Sequence, residues 1–189
     1  MKVLLVTSSL SNSSSHTSSS HTLLRQGAGV YLGKEPITEP LAFGQWGKPY
    51  FPAFPQLHFS ITHSGDTWMC AFGDAPLGLD YQVSRSCRKE ALSRRFFHPL
   101  EQEYLKAHPD AFFPLWSAKE SYIKYTGRGL SQGLPTFSLV DEKGAFPCFP
   151  GLHLSLLPAP LGHGLCLCTP QAVSQLTYFT LPGADGGKD

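Results

Sequence analysis

Residues 119–124 read Lys-Glu-Ser-Tyr-Ile-Lys and set one carboxylate between two lysines. On a helix, Glu120 and Lys124 are one turn apart and share a face. A carboxylate with a lysine before it and another one turn later can hold a metal and a phosphate together. The same residues also make an ordinary surface Glu–Lys pair. A second candidate is His63, which follows an alternating run at 57–62 and precedes a Ser64-Gly-Asp66 turn. An imidazole, a small hydroxyl and turn amides suit a phosphate cradle, whereas a lone histidine at a strand end is otherwise structural. A third is Asp80, at the end of Pro76-Leu-Gly-Leu-Asp80. Aspartate is poorly suited to a strand interior, and metal ligation is one reason to find it there.

These side chains need elements to carry them. Leu115, Trp116, Ala118, Tyr122 and Ile123 recur at three- and four-residue spacing, so a half-buried helix is expected, stopped by Gly127 with Gly129 beyond. Residues 1–6 read as a first strand. Residues 7–22 are mostly serine and threonine, too poor in apolar surface to fold alone, and predict a loop before a short helix at about 22–32. Residues 33–55 read as irregular chain. Strands are expected at 57–62, 67–72 and 77–81. Residues 84–106 read as helical, broken at His98-Pro99, with Pro99 in a first turn. Four further strands are expected at 136–140, 151–157, 164–169 and 174–181, with a frayed tail from 183.

Composition narrows the classes. The 189 residues are 41% hydrophobic and 15% charged, with a formal net charge of +1, so nothing pulls the whole chain toward nucleic acid. No apolar run reaches the ~18 to 20 residues of a membrane span. The apolar start is too short for a secretion signal, so a cytoplasmic protein is expected. The cysteines at 70, 87, 148, 166 and 168 are odd in number and lack a Cys-x-x-Cys pair. They read as buried, reduced thiols; a zinc site with His163 lacks a recognisable fourfold spacing. Arg85, Arg88, Lys89, Arg94 and Arg95 form a basic cluster, read either as a solvated face or as a dock for an acidic partner.

Four stretches together resemble the phosphopantetheinyl transferases, in particular the broad-specificity type that activates surfactin synthetase. They are Gly47-Lys-Pro49, Thr62-His-Ser64, Gly78-Leu-Asp80 and the Trp116-to-Lys124 segment. Their order and spacing fit; the resemblance covers about 44–170, and residues 1–43 match loosely. It implies an α+β fold, a pseudo-dimer of two similar subdomains, each a small antiparallel sheet packed on a long helix. Residues 1–76, including the Ser-rich 7–22, would form one half. Residues 77–189 would form the other, in one intertwined unit with coenzyme A in the cleft.

The implied reaction moves 4'-phosphopantetheine from coenzyme A to a serine of an apo acyl or peptidyl carrier protein and releases 3',5'-ADP. It uses Mg²⁺, with Mn²⁺ as the alternative. The resemblance makes Asp80 and Glu120 metal ligands, with Gln82 where many relatives carry a third acid. Glu120, directly or through a metal-bound water, would be the base. Lys124 would neutralise the pyrophosphate, and Lys119 would contact phosphate or the pantetheine arm. Thr62 and His63 would hold phosphate oxygens, Lys48 a phosphate or the adenine, and Arg25 the nucleotide end. An acidic carrier would dock near Arg85, Arg88 and Lys89, and a monomer is expected. Gln82 and the thin N-terminal basic set also motivate a non-catalytic relative that binds coenzyme A or a carrier. A metal-dependent phosphoesterase using Asp80, Glu120 and His63 is a third reading.

Overall fold

The computed structural model describes residues 1–10 and 16–183. The expected tail beyond 183 and the middle of the Ser/Thr-rich stretch lie outside the described residues. The architecture is α+β, with two main sheets. Strands β1 (Lys2–Ser9), β4 (His58–Ser64), β5 (Thr67–Gly73) and β9 (Gln175–Thr180) form the first, in the order β4-β5-β1-β9. Its pairs are antiparallel except β1 with β9, which is parallel. Strands β6 (Gly78–Gln82), β7 (His153–Leu156) and β8 (Gly164–Thr169) form an antiparallel second sheet, ordered β6-β8-β7. Two-residue strands β2 (Ala42–Phe43) and β3 (Pro49–Tyr50) make a small ribbon that precedes β4 in the chain.

Helix α1 (His16–Leu32) packs on the first sheet, where Leu23, Leu24 and Ala28 meet Phe59, Trp68 and Phe72. Helix α4 (Phe112–Thr126) packs on the second, with Leu115 and Ala118 in a cluster that includes Cys166. The sheets also pack on each other: Val3, Leu5 and Ala71 meet Leu79, Leu165 and Leu167. Strand β1 is therefore buried on both faces, Val6 toward α1 and its neighbours toward the second sheet, which explains its unbroken Val-Leu-Leu-Val run.

Three expectations need correction. Among its described residues the 7–22 stretch is not a loop, because β1 runs to Ser9 and α1 starts at His16. Pairing on both sides of β1 takes its backbone groups whatever the side chains, and Ser20 Oγ accepts a 2.9 Å bond from Trp68 Nε1. Residues 84–88 are not helical; α2 (Lys89–Phe96) and α3 (Pro99–Ala107) flank the expected break. Residues 136–140 form no strand. Leu139 N–H donates instead to Glu101 Oε1 at 2.8 Å, and Ser138 bonds both polar groups of Val140. Tertiary partners replace a ladder there. The helix stop is as read: Gly127 adopts φ 69°, a left-handed cap that favours glycine.

Candidate active site

Helix α4 lies so close to the second sheet that glycine is required beneath it. A Cβ on Gly78 would collide with the Ser121 carbonyl and the Tyr125 amide, and one on Gly164 with the Phe113 carbonyl. This approach sets the middle of β6, with Asp80, beside the α4 turn that carries Glu120 and Lys124.

The second neighbour of β6 is β4, and their junction is unusual. No backbone ladder joins them. Ser60 Oγ, Thr62 Oγ1 and Ser64 Oγ accept the N–H groups of Leu79, Tyr81 and Val83 at 2.9, 3.1 and 3.0 Å. Alternate residues of a strand face one way, so three hydroxyls two apart reach three amides two apart. Hydroxyls thus stand in for carbonyls along the seam between the sheets.

Asp80 is 3% exposed, and it collects most of the cluster. Its Oδ1 accepts from Thr62 Oγ1 at 3.1 Å and from Lys124 Nζ at 2.7 Å. Its Oδ2 accepts from Gln82 Nε2 at 3.2 Å. Lys124 Nζ also donates to the Ile61 carbonyl at 3.1 Å, and its side chain is 30% exposed. Glu120 is partly buried. Burial pushes its carboxyl above the ordinary range, the Asp80 charge adds to this, and Lys124 opposes it. A neighbouring carboxylate and a nearby ammonium are what such a site needs to set Glu120 apart from a surface glutamate.

The other expected residues fall elsewhere. His63 is exposed on β4, one residue past Thr62. Lys48 Nζ donates to the carbonyls of Leu77, Lys124 and Tyr125 at 2.9, 2.6 and 3.4 Å, so it ties the Gly47-Lys-Pro49 turn to the C-terminal end of α4. Burial pushes its ammonium down to about 8, with Cys168 opposing. A cavity of about 230 Å³ opens beside it, lined among others by Trp46, Phe59, Ser60 and Lys124. Arg25 Nη1 donates to the Ile37 and Glu39 carbonyls at 3.1 and 2.8 Å, which pins the chain after α1.

Lys119, expected among the phosphate contacts, is wholly buried and turned away from Asp80. Its Nζ meets Glu101 Oε1 and Oε2 at 2.7 and 2.6 Å and the Phe137 carbonyl at 2.7 Å. Consecutive helix residues point about 100° apart, so Lys119 and Glu120 serve different faces. Sequence reasoning missed Glu101, Ser60 and Trp46. The spacing of His98 to Glu101 is a capping box and signalled the first, since Glu101 Oε2 accepts His98 N–H at 2.9 Å. The alternation of Ser60, Thr62 and Ser64 was visible, but Thr62 was read as a phosphate contact and Ser64 as part of a turn, not as partners of β6.

All five cysteines are free, and burial pushes the Cys166 and Cys168 thiols up to about 12, which leaves them inert. His163 Nδ1 lies 2.8 Å from the Tyr81 hydroxyl. Among the described residues, no three His, Cys, Asp or Glu side chains group to hold a metal. None of the described helices is long and apolar enough to cross a membrane.

Comparison with known proteins places these elements in context. The 4'-phosphopantetheinyl transferase superfamily is matched over residues 76–155. A 4'-phosphopantetheinyl transferase of Bacillus subtilis is 40% identical over 150 residues, covering 76% of this chain and 62% of that protein. The 4'-phosphopantetheinyl transferase Sfp of Bacillus subtilis strain 168 is 41% identical over 100 residues, 50% of this chain and 44% of that one. The 4'-phosphopantetheinyl transferase ffp of Bacillus subtilis is 30% identical over 156 residues, 72% of this chain and 68% of that one. The chain thus spans 62% and 44% of the length of the first two of these relatives.

Proposed function

The chain belongs to the 4'-phosphopantetheinyl transferase superfamily, and on that premise we propose that it moves 4'-phosphopantetheine from coenzyme A to a serine of an apo carrier protein, releasing 3',5'-ADP. One observation carries this: Asp80, Gln82, Glu120 and Lys124 converge where β6, β4 and α4 meet, with Glu120 held above the ordinary carboxylate range. The donor set is all oxygen and bears two carboxylates, which suits a hard Mg²⁺ ion, or Mn²⁺ in its place. Asp80 and Glu120 would hold it, with the Gln82 amide oxygen as a neutral third donor. When bound, the ion supplies charge neutralisation at the pyrophosphate and the leaving oxygen.

The rest is done by side chains. Glu120 accepts the proton of the carrier serine, and its raised affinity for protons suits that task. Thr62 orients Asp80 through its 3.1 Å bond. Lys124 supplies positive charge to the pyrophosphate. Exposed His63 and the cavity beside Lys48 extend the site toward the nucleotide end. Lys119 supports the scaffold from its buried place beside Glu101, and Arg25 holds the chain after α1.

The two halves of the proposed pseudo-dimer are the first sheet with α1 and the second sheet with α4, divided near residue 76 and intertwined by β9; coenzyme A lies along their seam. Arg85 and Arg88 are exposed just before α2, and Lys89 reaches over the Phe112 and Phe113 rings at 5.8 and 5.4 Å. That basic edge suits an acidic helical carrier. We place the protein in the cytoplasm as a monomer.

The test is the intact mass of an apo carrier incubated with the protein, coenzyme A and Mg²⁺, with Asp80→Ala as control. A gain of one phosphopantetheine, absent in the control, supports the transferase. Gln82 in the third-acid position favours a second reading, a relative that binds coenzyme A without turnover. Coenzyme A binding by calorimetry with no mass gain on several carriers would select it. Release of nucleotide or phosphate without any carrier would point to a phosphoesterase.

A further inference from the structure

The Lys124–Asp80 contact raises a question of occupancy. Asp80 Oδ1 already accepts two hydrogen bonds, from Thr62 at 3.1 Å and Lys124 at 2.7 Å, and Oδ2 accepts one from Gln82 at 3.2 Å. A carboxylate oxygen has two acceptor sites, so Oδ1 is filled and Oδ2 is half filled. A divalent ion at bonding distance from this carboxylate would stand within a few ångströms of the ammonium, and like charges that close repel strongly near a protein surface. Lys124 has another option. Its side chain is 30% exposed on a flexible stem, and its remaining bond is to a backbone carbonyl, Ile61 at 3.1 Å.

We propose that Lys124 and the divalent ion are competing partners of Asp80, and that the coenzyme A pyrophosphate settles the competition by drawing Lys124 onto its own oxygens. This rests on the transferase reading for the identity of the phosphate ligand. With Lys124 on Asp80, the two carboxylates and one ammonium leave a formal charge of −1, a poor magnet for a dication. The pyrophosphate of a phosphodiester-linked coenzyme brings two more negative charges and a better acceptor for the ammonium. Metal and coenzyme A therefore bind with positive coupling, and the coupling is reciprocal. Lys124 acts as a switchable counter-ion, present at the aspartate in one state and at the phosphate in the other.

The competition predicts opposite signs for one substitution. Mn²⁺ binding to the whole protein is measured by electron paramagnetic resonance without coenzyme A, for wild type, Lys124→Met and Lys124→Arg. Circular dichroism checks that each is folded. Lys124→Met should tighten Mn²⁺ by about tenfold or more, because it removes a like charge from the site, and should weaken coenzyme A binding. Lys124→Arg, which keeps the charge, should leave Mn²⁺ affinity near that of wild type. Unchanged or weaker Mn²⁺ binding in Lys124→Met, or no binding in either protein, overturns the proposal.

The two readings fail separately. Carrier modification by wild type with unchanged metal affinity in Lys124→Met would keep the transferase and remove the competition. Tighter Mn²⁺ in Lys124→Met with no modification of any carrier would keep the competition and remove the transferase.

Discussion

One helix carries two lysines, five residues apart, and each faces a carboxylate, yet the two pairs have opposite characters. Lys119 and Glu101 are both fully buried, and between them they satisfy His98, Leu139 and Phe137 of the surrounding backbone. Burial lowers the proton affinity of Lys119, and Glu101 opposes that. Nothing in this pair is left over for a ligand. The side chains of Lys124 and Asp80 are 30% and 4% exposed, and Asp80 keeps an oxygen only half used. A closed pair fixes position; an open one can change partners. Their closeness on α4 means that the first holds the rotation of the helix while the second stays open.

The sharpest way to break the comparison is to truncate one acid of each pair. Glu101→Ala strands a buried ammonium and the N–H groups of His98 and Leu139, so it should cost about 3–5 kcal/mol of stability and lower the Tm by roughly 10 °C for a chain of this size. Asp80→Ala leaves Lys124 within reach of solvent and should cost at most about 1–2 kcal/mol, while phosphopantetheine transfer disappears. Urea melts beside carrier-mass assays would show it; equal losses of stability in both variants would erase the distinction.

A second test concerns pH. Glu120 takes up protons more readily in the fold than in the unfolded chain, because of burial first and of Asp80 second. A raised carboxyl contributes stability below its unfolded pKa and loses it as pH rises through its folded pKa. At neutral pH the wild type has lost that contribution. Glu120→Gln should therefore melt a few degrees higher than wild type at neutral pH, and the gap should close as pH falls below the ordinary carboxylate range. A lower Tm for Glu120→Gln at neutral pH would mean that the carboxylate is well paired after all. The same substitution should reduce transfer by about 10²- to 10⁴-fold.

The smallest effect should come from the open pair's neighbour. Gln82 donates to Asp80 and offers a metal only a neutral oxygen. Gln82→Glu should lower the Mg²⁺ concentration for half-maximal transfer several-fold, since an added carboxylate raises the site's negative charge. A magnesium titration with the same midpoint for both proteins would separate Gln82 from the metal.

Much of the frame was legible. Helix α4 announced itself by apolar spacing and a glycine stop, and most strands by alternation between turn residues. What could not be read depended on partners far away in sequence. Lys119 lies beside Glu120 in the chain, but its place is decided by Glu101, 18 positions upstream, and by Phe137, 18 positions downstream. Residues 16–21 have poor helix formers, and packing against Trp68 overrides them. Residues 136–140 alternate like a strand, yet side chains claim their amides. The hydroxyl seam shows only when β4 and β6 are seen side by side.

Strand β9 closes the first sheet by pairing in parallel with β1, and Ser174 bonds Met1 across 173 positions. During synthesis, β1 leaves the ribosome before the other described strands and waits for the one that completes its outer edge. A nascent chain halted anywhere before residue 175 carries β1, with its uncharged Val-Leu-Leu-Val-Thr run, as an open edge that can template pairing with other chains. The closed edge of β1 is thus a property of the finished molecule, and a ribosome that stops early releases an aggregation seed rather than half a protein.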